Sequence, residues 1–138
     1  MRMSDKLQVR IRIDFSNGRS VGPGKIALLE AIDRCGSLSE AARELKLSYR
    51  RAWLLQDDLN ASFEQPVVSS STGGAHGGGA VLTPLGRKLI QAYHRLAART
   101  ELSAKRLERE LRPAMRQATP KRLGRQRLAR TLGAAARD

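Results

Sequence analysis

The sequence predicts one mainly α-helical domain with small β elements, followed by a basic tail. Residues 7–15 (LQVRIRIDF) alternate apolar and polar side chains, which is the period of a strand with one buried face. Four later segments carry apolar residues at helical spacing, and a glycine-rich loop separates two short β-prone runs. A chain of 138 residues suffices for one core, so we assign the domain to residues 1–111 and a flexible tail to residues 112–138.

The first helix is expected to run from about Pro23 to a stop at Gly36. Proline suits the first turn of a helix, and glycine commonly follows the last. The apolar face of this helix is broad enough to serve a core and a partner chain together. Its members are Ile26, Ala27, Leu28, Leu29, Ala31 and Ile32.

The second and third helices are marked by serine caps. Ser37 and Glu40 have the spacing of a capping box, so a short second helix should begin at Ser37 and end near Lys46. Ser48 can cap a third helix over residues 49–63. The residues expected to face the core from this helix are Ala52, Leu55, Leu59 and Phe63.

A β-hairpin is expected between the third helix and the fourth. The run VVSSS and the later AVL are its two strands, and the loop between them holds five glycines in the seven positions from Gly73 to Gly79. A phosphate-binding P-loop would need lysine after its last glycine, but Ala80 and Val81 follow Gly79. A nucleotide site of that type is therefore disfavoured.

The fourth helix is long. Thr83 and Pro84 form an N-cap and first-turn pair, and no glycine or proline interrupts the helical pattern between Gly86 and Pro113. The helix should span about 28 residues, or about 42 Å at 1.5 Å per residue. A domain this small cannot cover that length, so the part beyond roughly Arg99 should pack on a second copy of the chain or project into solvent.

The charge balance favours polyanionic partners. The chain has 26 Lys and Arg against 13 Asp and Glu, for a formal net charge of +13. Nucleic acid and an anionic membrane surface both fit that charge, and a membrane-surface helix in the tail is the minor alternative. No apolar stretch is long enough to span a bilayer, so we expect a cytoplasmic protein. Cys35 cannot form an internal disulfide, and His76 and His94 lack metal-ligand spacing, so no cofactor is expected.

Two short helices joined by a tight turn and followed by a hairpin have the order of a winged helix-turn-helix. Ala41 and Ala42 allow a close helix crossing, although alanine also simply favours helix. Arg50 and Arg51 occupy the first turn of the third helix, where the helix dipole disfavours cations by roughly 0.3–1 kcal/mol each. A phosphate or a guanine edge would compensate for this cost. The alternative is that both arginines are solvated surface residues.

Trp53 is the only tryptophan, and its position allows two interpretations. It could lie beside a base or sugar, or it could belong to the core, as a single tryptophan in a small domain often does.

Two segments of the chain are distinctive: GSLSEAARELKLSYRRAWLLQDDLN and STGGAHGGGAVLTPLGRKLIQAYHRL. Their most diagnostic parts are Ser48-Tyr49, Ala52-Trp53, the glycine loop and the step from Leu82-Thr83 to Gly86. Through them, roughly residues 7–102 resemble the N-terminal DNA-binding domain of the ModE-type molybdate-responsive transcriptional regulators, which is similar to the winged helix-turn-helix of LysR-type regulators.

The resemblance implies that the third helix enters the major groove of DNA. It also implies that the glycine loop is the wing tip against the backbone or minor groove, and that the first and fourth helices build a homodimer. Glycine removes side-chain bulk, so such a loop can bring its N–H groups close to phosphate. His76 stands where the family pattern has lysine, which makes the charge at the tip dependent on pH. A plain linker between two strands is the alternative.

One departure from the family concerns ligand sensing. Regulators of this type continue into molybdate-binding domains, and the 27 residues from Arg112 to Asp138 are too few for such a domain. We therefore expect a DNA reader without that sensor, whose effector is unknown.

The leading hypothesis is a sequence-specific, homodimeric transcriptional regulator without enzymatic activity. The alternative is an architectural protein that coats double-stranded DNA through its basic tail. An enzyme is disfavoured because we find no nucleophile with a base, no paired carboxylates and no metal cluster; Asp57 and Asp58 are adjacent on a helix. The residues expected to contact DNA are Ser37, Ser48, Tyr49, Arg50, Arg51, Trp53, Thr72, Gly73, Gly74, His76, Gly77 and Gly78.

Overall fold

Helices dominate the computed structural model, which describes residues 6–71 and 78–117. In chain order these parts contain β1 (Ile13–Asp14), β2 (Ser20–Val21), α1 (Pro23–Cys35), α2 (Leu38–Glu44), α3 (Tyr49–Ala61), β3 (Val68–Ser71), β4 (Gly79–Leu82) and α4 (Pro84–Leu111), and then the 3₁₀ turn Arg112–Ala114. The two strand pairs, β1 with β2 and β3 with β4, form separate antiparallel sheets. The mainly α class with small β elements is therefore confirmed.

The predicted N-terminal strand is much shorter than its sequence pattern. Only Ile13 and Asp14 pair with a partner strand, across a turn in which Gly18 has a φ of +83°. Residues 7–15 nevertheless alternate between half-buried and exposed, as the sequence predicted. The half-buried side lies against α4, where Tyr93 Oη donates a hydrogen bond to Ile11 O at 2.7 Å. The pattern thus identified the buried side chains, but residues 7–12 pack on a helix instead of pairing with a strand.

Helix α1 lies at the centre of the core. It contacts α2, α3, α4 and β4, and Leu28, Leu29, Ala31 and Ile32 have no exposed surface. We expected its broad apolar face to serve a partner chain as well. Within the described residues the chain itself covers that face and leaves only Ala27 half-buried. The core of the same chain therefore uses most of this face, and the partner contact expected through α1 stays a prediction.

The β3–β4 hairpin is fastened to the end of α1. Its strands pair from Val68↔Leu82 to Ser71↔Gly79, and Ala80 N donates to Gly36 O at 2.9 Å. A Cβ at Gly79 would lie 2.8 Å from Ser71 Cβ, so this position has no room for a side chain. The hairpin therefore has a fixed base, and residues 72–77 between its strands lie outside the described residues.

Helix α4 begins and ends as predicted and has 28 residues. Thr83 Oγ1 accepts from Gly86 N at 3.1 Å and donates to Pro66 O at 2.7 Å, which joins the helix to the hairpin. A Cβ at Gly86 would collide with Val67 O, so glycine is needed for this close approach. Beyond residue 100 the leucine side chains of the helix are exposed, including Leu102 (69%) and Leu107 (56%).

Candidate nucleic-acid interface

Helices α2 and α3 pack tightly around small residues. Ala41, Ala42 and Ala52 are 0–2% exposed, so the crossing uses the alanines that the sequence placed there. The turn between the helices is closed by hydrogen bonds from Leu47 N to Ala42 O (2.8 Å) and from Lys46 N to Arg43 O (3.2 Å). This turn fixes where α3 begins and in which direction its first residues point.

The start of α3 combines a serine cap with two arginines in its first turn. Ser48 Oγ accepts from Arg51 N at 3.0 Å, and the first intrahelical bond runs from Ala52 N to Ser48 O. The first turn contains no acidic residue. Arg50 is exposed, whereas Arg51 is half-buried and already interacts within the chain. The positive end of the helix dipole and the guanidinium of Arg50 therefore face solvent together.

The outer face of α3 exposes large apolar side chains as well. Tyr49 is 58% exposed, Trp53 46% and Leu54 42%, whereas Ala52, Leu55 and Leu59 on the opposite face are buried. The interpretation of Trp53 as a core residue is therefore wrong. An aromatic ring beside an arginine, on the accessible side of a helix, can stack on a base or sugar.

Capping also explains the position of Ser37. It is the N-cap of α2, and its Oγ accepts from Glu40 N at 3.1 Å, which confirms that half of the capping box.

Phe63 lies beyond the end of α3 and packs edge-to-face on Phe15, with ring centroids 5.9 Å apart. It is half-buried, so it supports the rim of the core and not the helix face predicted for it.

An ion-pair cluster around the buried Lys25, which the sequence did not predict, holds α3 in place. Asp58 accepts from Arg19 Nη1 at 2.6 Å and from Lys25 Nζ at 2.5 Å, and Lys25 also donates to Ser20 O. Lys25 is only 1% exposed and lies in the first turn of α1. Partial burial alone would raise the pKa of Asp58, but the hydrogen bonds from Lys25 and Arg19 outweigh it and lower that pKa. The cluster joins β2, α1 and α3, and so fixes the outer face of α3 relative to the core.

Of the predicted contact residues, five lie together around the start of α3: Ser48, Tyr49, Arg50, Arg51 and Trp53. Gly78 is exposed at the edge of the hairpin. The remaining wing residues, Thr72, Gly73, Gly74, His76 and Gly77, lie outside the described residues, as does the tail beyond residue 117.

Residues 6–71 and 78–117 contain neither a candidate metal site nor a candidate membrane span. That part of the chain has no group of three His, Cys, Asp or Glu side chains that could bind a metal ion. None of its helices is long and apolar enough to cross a bilayer. Cys35 Sγ donates to Glu44 Oε2 at 3.2 Å, and this hydrogen bond raises the pKa of the thiol.

Comparison with known proteins gives partial matches to regulators and molybdenum proteins. The chain is 51% identical over 81 residues to the molybdenum-pterin-binding protein MopB of Rhodobacter capsulatus, which covers 59% of this chain and 30% of that protein. It is 36% identical over 102 residues to the molybdenum transport protein ModE of Azotobacter vinelandii, covering 74% and 38%. It is 44% identical over 75 residues to the DNA-binding transcriptional dual regulator ModE of Escherichia coli K12, covering 54% and 29%. No protein-family profile matches the chain.

These relatives are longer than the chain, which spans only about a third of their length. By name they are a molybdenum-pterin-binding protein, a molybdenum transport protein and a DNA-binding transcriptional regulator. The matches support a relationship between this chain and the ModE-type regulators, at modest identity and over part of the chain.

Proposed function

We propose that the chain is a sequence-specific DNA-binding transcriptional regulator in which α3 enters the major groove. One observation carries the proposal: the start of α3 is exposed and cationic and lacks any acidic residue in its first turn. A helix end of this kind attracts phosphate, and its arginine can donate two hydrogen bonds to guanine O6 and N7. The relatives that are DNA-binding regulators support the same function.

The chemistry of α3 assigns different roles to its residues. Arg50 contacts a base edge, Tyr49 and the Ser48 hydroxyl contact phosphate or sugar, and Trp53 packs on the sugar or base surface. Arg51 already interacts within the chain, and it contacts a phosphate only when that interaction is broken. Ser37 lies at the start of α2, where its hydroxyl can donate to the backbone of the same duplex while its oxygen caps the helix.

The wing and the dimer complete the proposed reader. The loop from Thr72 to Gly79 approaches the backbone or minor groove, and the base of the hairpin is fixed by its bond to Gly36. A second copy packs on α4, with a smaller contribution from α1, whose apolar face is mostly covered by its own chain. Two copies of α3 then read half-sites about 34 Å apart, or a multiple of that spacing. Basic residues of the tail add salt-dependent affinity for any sequence.

The test removes the charges at the start of α3. Sites are first selected from random duplex DNA with the unaltered protein, and binding to the selected site and to random duplex is then compared by gel-shift competition. Arg50→Ala combined with Arg51→Ala should lower the preference for the selected site at least about tenfold, because a good base contact contributes on that order.

A matched control removes the same charge elsewhere. Arg95 and Arg99 are exposed on α4. Arg95→Ala with Arg99→Ala should weaken binding to the selected site and to random duplex equally, and so leave the preference for the selected site intact. If the double variant of α3 keeps the full preference, the assignment of the recognition helix is wrong. If the unaltered protein selects no sequence, the function itself is wrong.

A further inference from the structure

Asp57 is an exposed carboxylate on the helix that we propose enters the groove. It is adjacent to Asp58 in the chain, but Asp57 is exposed whereas Asp58 is half-buried and paired. Asp58 is held by Arg19 and Lys25, whereas no described residue donates a hydrogen bond or forms an ion pair with Asp57. One acidic side chain thus fastens α3 to the core, and its neighbour is exposed on the outer face.

Asp57 shares that outer face with Arg50. Residues seven apart on a helix lie within about 20° of each other around the axis and about 10.5 Å apart along it. Leu54, which is 42% exposed, lies between them on the same side. If α3 follows the groove, the separation of Arg50 and Asp57 corresponds to about three base-pair steps of 3.4 Å.

A carboxylate in this position opposes DNA binding unless it finds a donor. Phosphates repel it, and guanine O6 and N7 and thymine O4 are acceptors. The donors that the major groove offers are the amino groups of cytosine (N4) and adenine (N6). The amino group of adenine lies beside the N7 acceptor of the same base, which repels a carboxylate, whereas cytosine has no such acceptor on that edge. Cytosine is therefore the base that Asp57 fits.

We propose that Asp57 is a specificity-determining residue that accepts a hydrogen bond from the N4 amino group of one cytosine, about three base pairs from the contact of Arg50. The inference rests on the proposed function, since it requires α3 to lie in the major groove. At guanine or thymine the carboxylate faces acceptors or a methyl group, and at adenine the N7 acceptor lies beside the amino donor, so Asp57 penalises wrong sequences as well as favouring the right one.

The test compares sites selected from random duplex by the unaltered protein and by Asp57→Asn. Asparagine has the same size but donates as well as accepts, and it pairs with adenine N6 and N7. In the motif selected by Asp57→Asn, one position should lose its preference for cytosine of about tenfold and prefer adenine instead. The other positions of the motif should be unchanged. Loss of the cytosine preference at a single position, with or without the new adenine, supports the proposal.

The control is Glu64→Gln, which removes an exposed carboxylate outside α3 and should leave every position of the motif unchanged. Thermal unfolding of Asp57→Asn should match that of the unaltered chain, since the side chain has no partner among the described residues. If Arg50→Ala weakens the motif but Asp57→Asn leaves it intact, the role of Asp57 is refuted and the proposed function stands. If the unaltered protein selects no motif, both are refuted.

Discussion

The tight turn between α2 and α3 strains the backbone of Lys46. Its φ is +58°, in the left-handed region where a Cβ costs roughly 1 kcal/mol, and its side chain is exposed. Glycine has no such cost. Lys46→Gly should therefore raise the free energy of unfolding by about 0.5–1 kcal/mol, measured by urea denaturation. Lys46→Ala removes the same charge but keeps the strain, so it should not stabilise. Lower stability of the glycine variant would contradict this account of the turn.

The sequence could not reveal the strain at Lys46, because a left-handed position is recognisable only when glycine or asparagine occupies it.

The sequence does contain a signal for Lys25. A lysine in a first helical turn, among apolar residues, carries the same dipole penalty that drew attention to Arg50 and Arg51. That argument indicates an anionic partner for Lys25, but it does not identify Asp58, which is 33 residues away. Long-range pairing of this kind depends on the packing of α1 against α3.

At the scale of the element, α3 depends on the cluster of Arg19, Lys25 and Asp58. Asp58→Asn would leave the buried ammonium of Lys25 without its counter-charge, which should cost about 2–4 kcal/mol of unfolding free energy. The lowered pKa of Asp58 sets the pH dependence. Because the folded chain favours the charged carboxylate, the stabilisation is present above the unfolded pKa near 4 and is lost as the pH falls below it. The Asp58→Asn variant should therefore lose less stability than the unaltered chain as the pH falls.

Two further variants separate the ion pair from packing. Asp57→Asn changes the neighbouring carboxylate, which has no partner among residues 6–71 and 78–117, and should leave stability within about 0.5 kcal/mol of the unaltered chain. Lys25→Met combined with Asp58→Leu removes both charges and should recover most of the loss, since an apolar pair often replaces a buried ion pair without cost. Equal stability of Asp58→Asn and the unaltered chain, at neutral pH in urea, would refute the role given to the cluster.

The local signals for elements were more informative than the long-range ones. Ser37, Ser48 and Thr83 each cap a helix where the sequence placed one, because a cap depends only on residues within one turn. The strand predicted over residues 7–15 forms a ladder only at Ile13 and Asp14. Its period predicts a buried side but cannot distinguish a neighbouring strand from a neighbouring helix. For the candidate site, sequence placed the start of α3, and only packing could show that Trp53 is exposed.

At the scale of the whole molecule, α4 is longer than the core that supports it. At 28 residues it spans about 42 Å, and its first turns pack on β4 and α1. Tyr93 is buried, but Leu96, Leu107 and Leu111 on the same side are 40–56% exposed. A stripe that begins in the core and continues into solvent is a surface that a second α4 can cover in a homodimer. The stripe also explains why the described part of one chain leaves so many leucines accessible.

A charge in this stripe should separate the two copies. Leu107→Glu places a carboxylate in the proposed interface from both chains, and losing two buried leucines at about 1.5 kcal/mol each should weaken the dimer about a hundredfold. Sedimentation velocity at micromolar concentration would show the shift to monomer. Leu102 is more exposed than Leu107 but lies more than a third of a turn away around the helix, so Leu102→Glu should remain dimeric. If both variants sediment alike, the stripe is not the interface. If Leu107→Glu is monomeric, its selected DNA site should shrink to one half-site, because each chain carries one copy of α3.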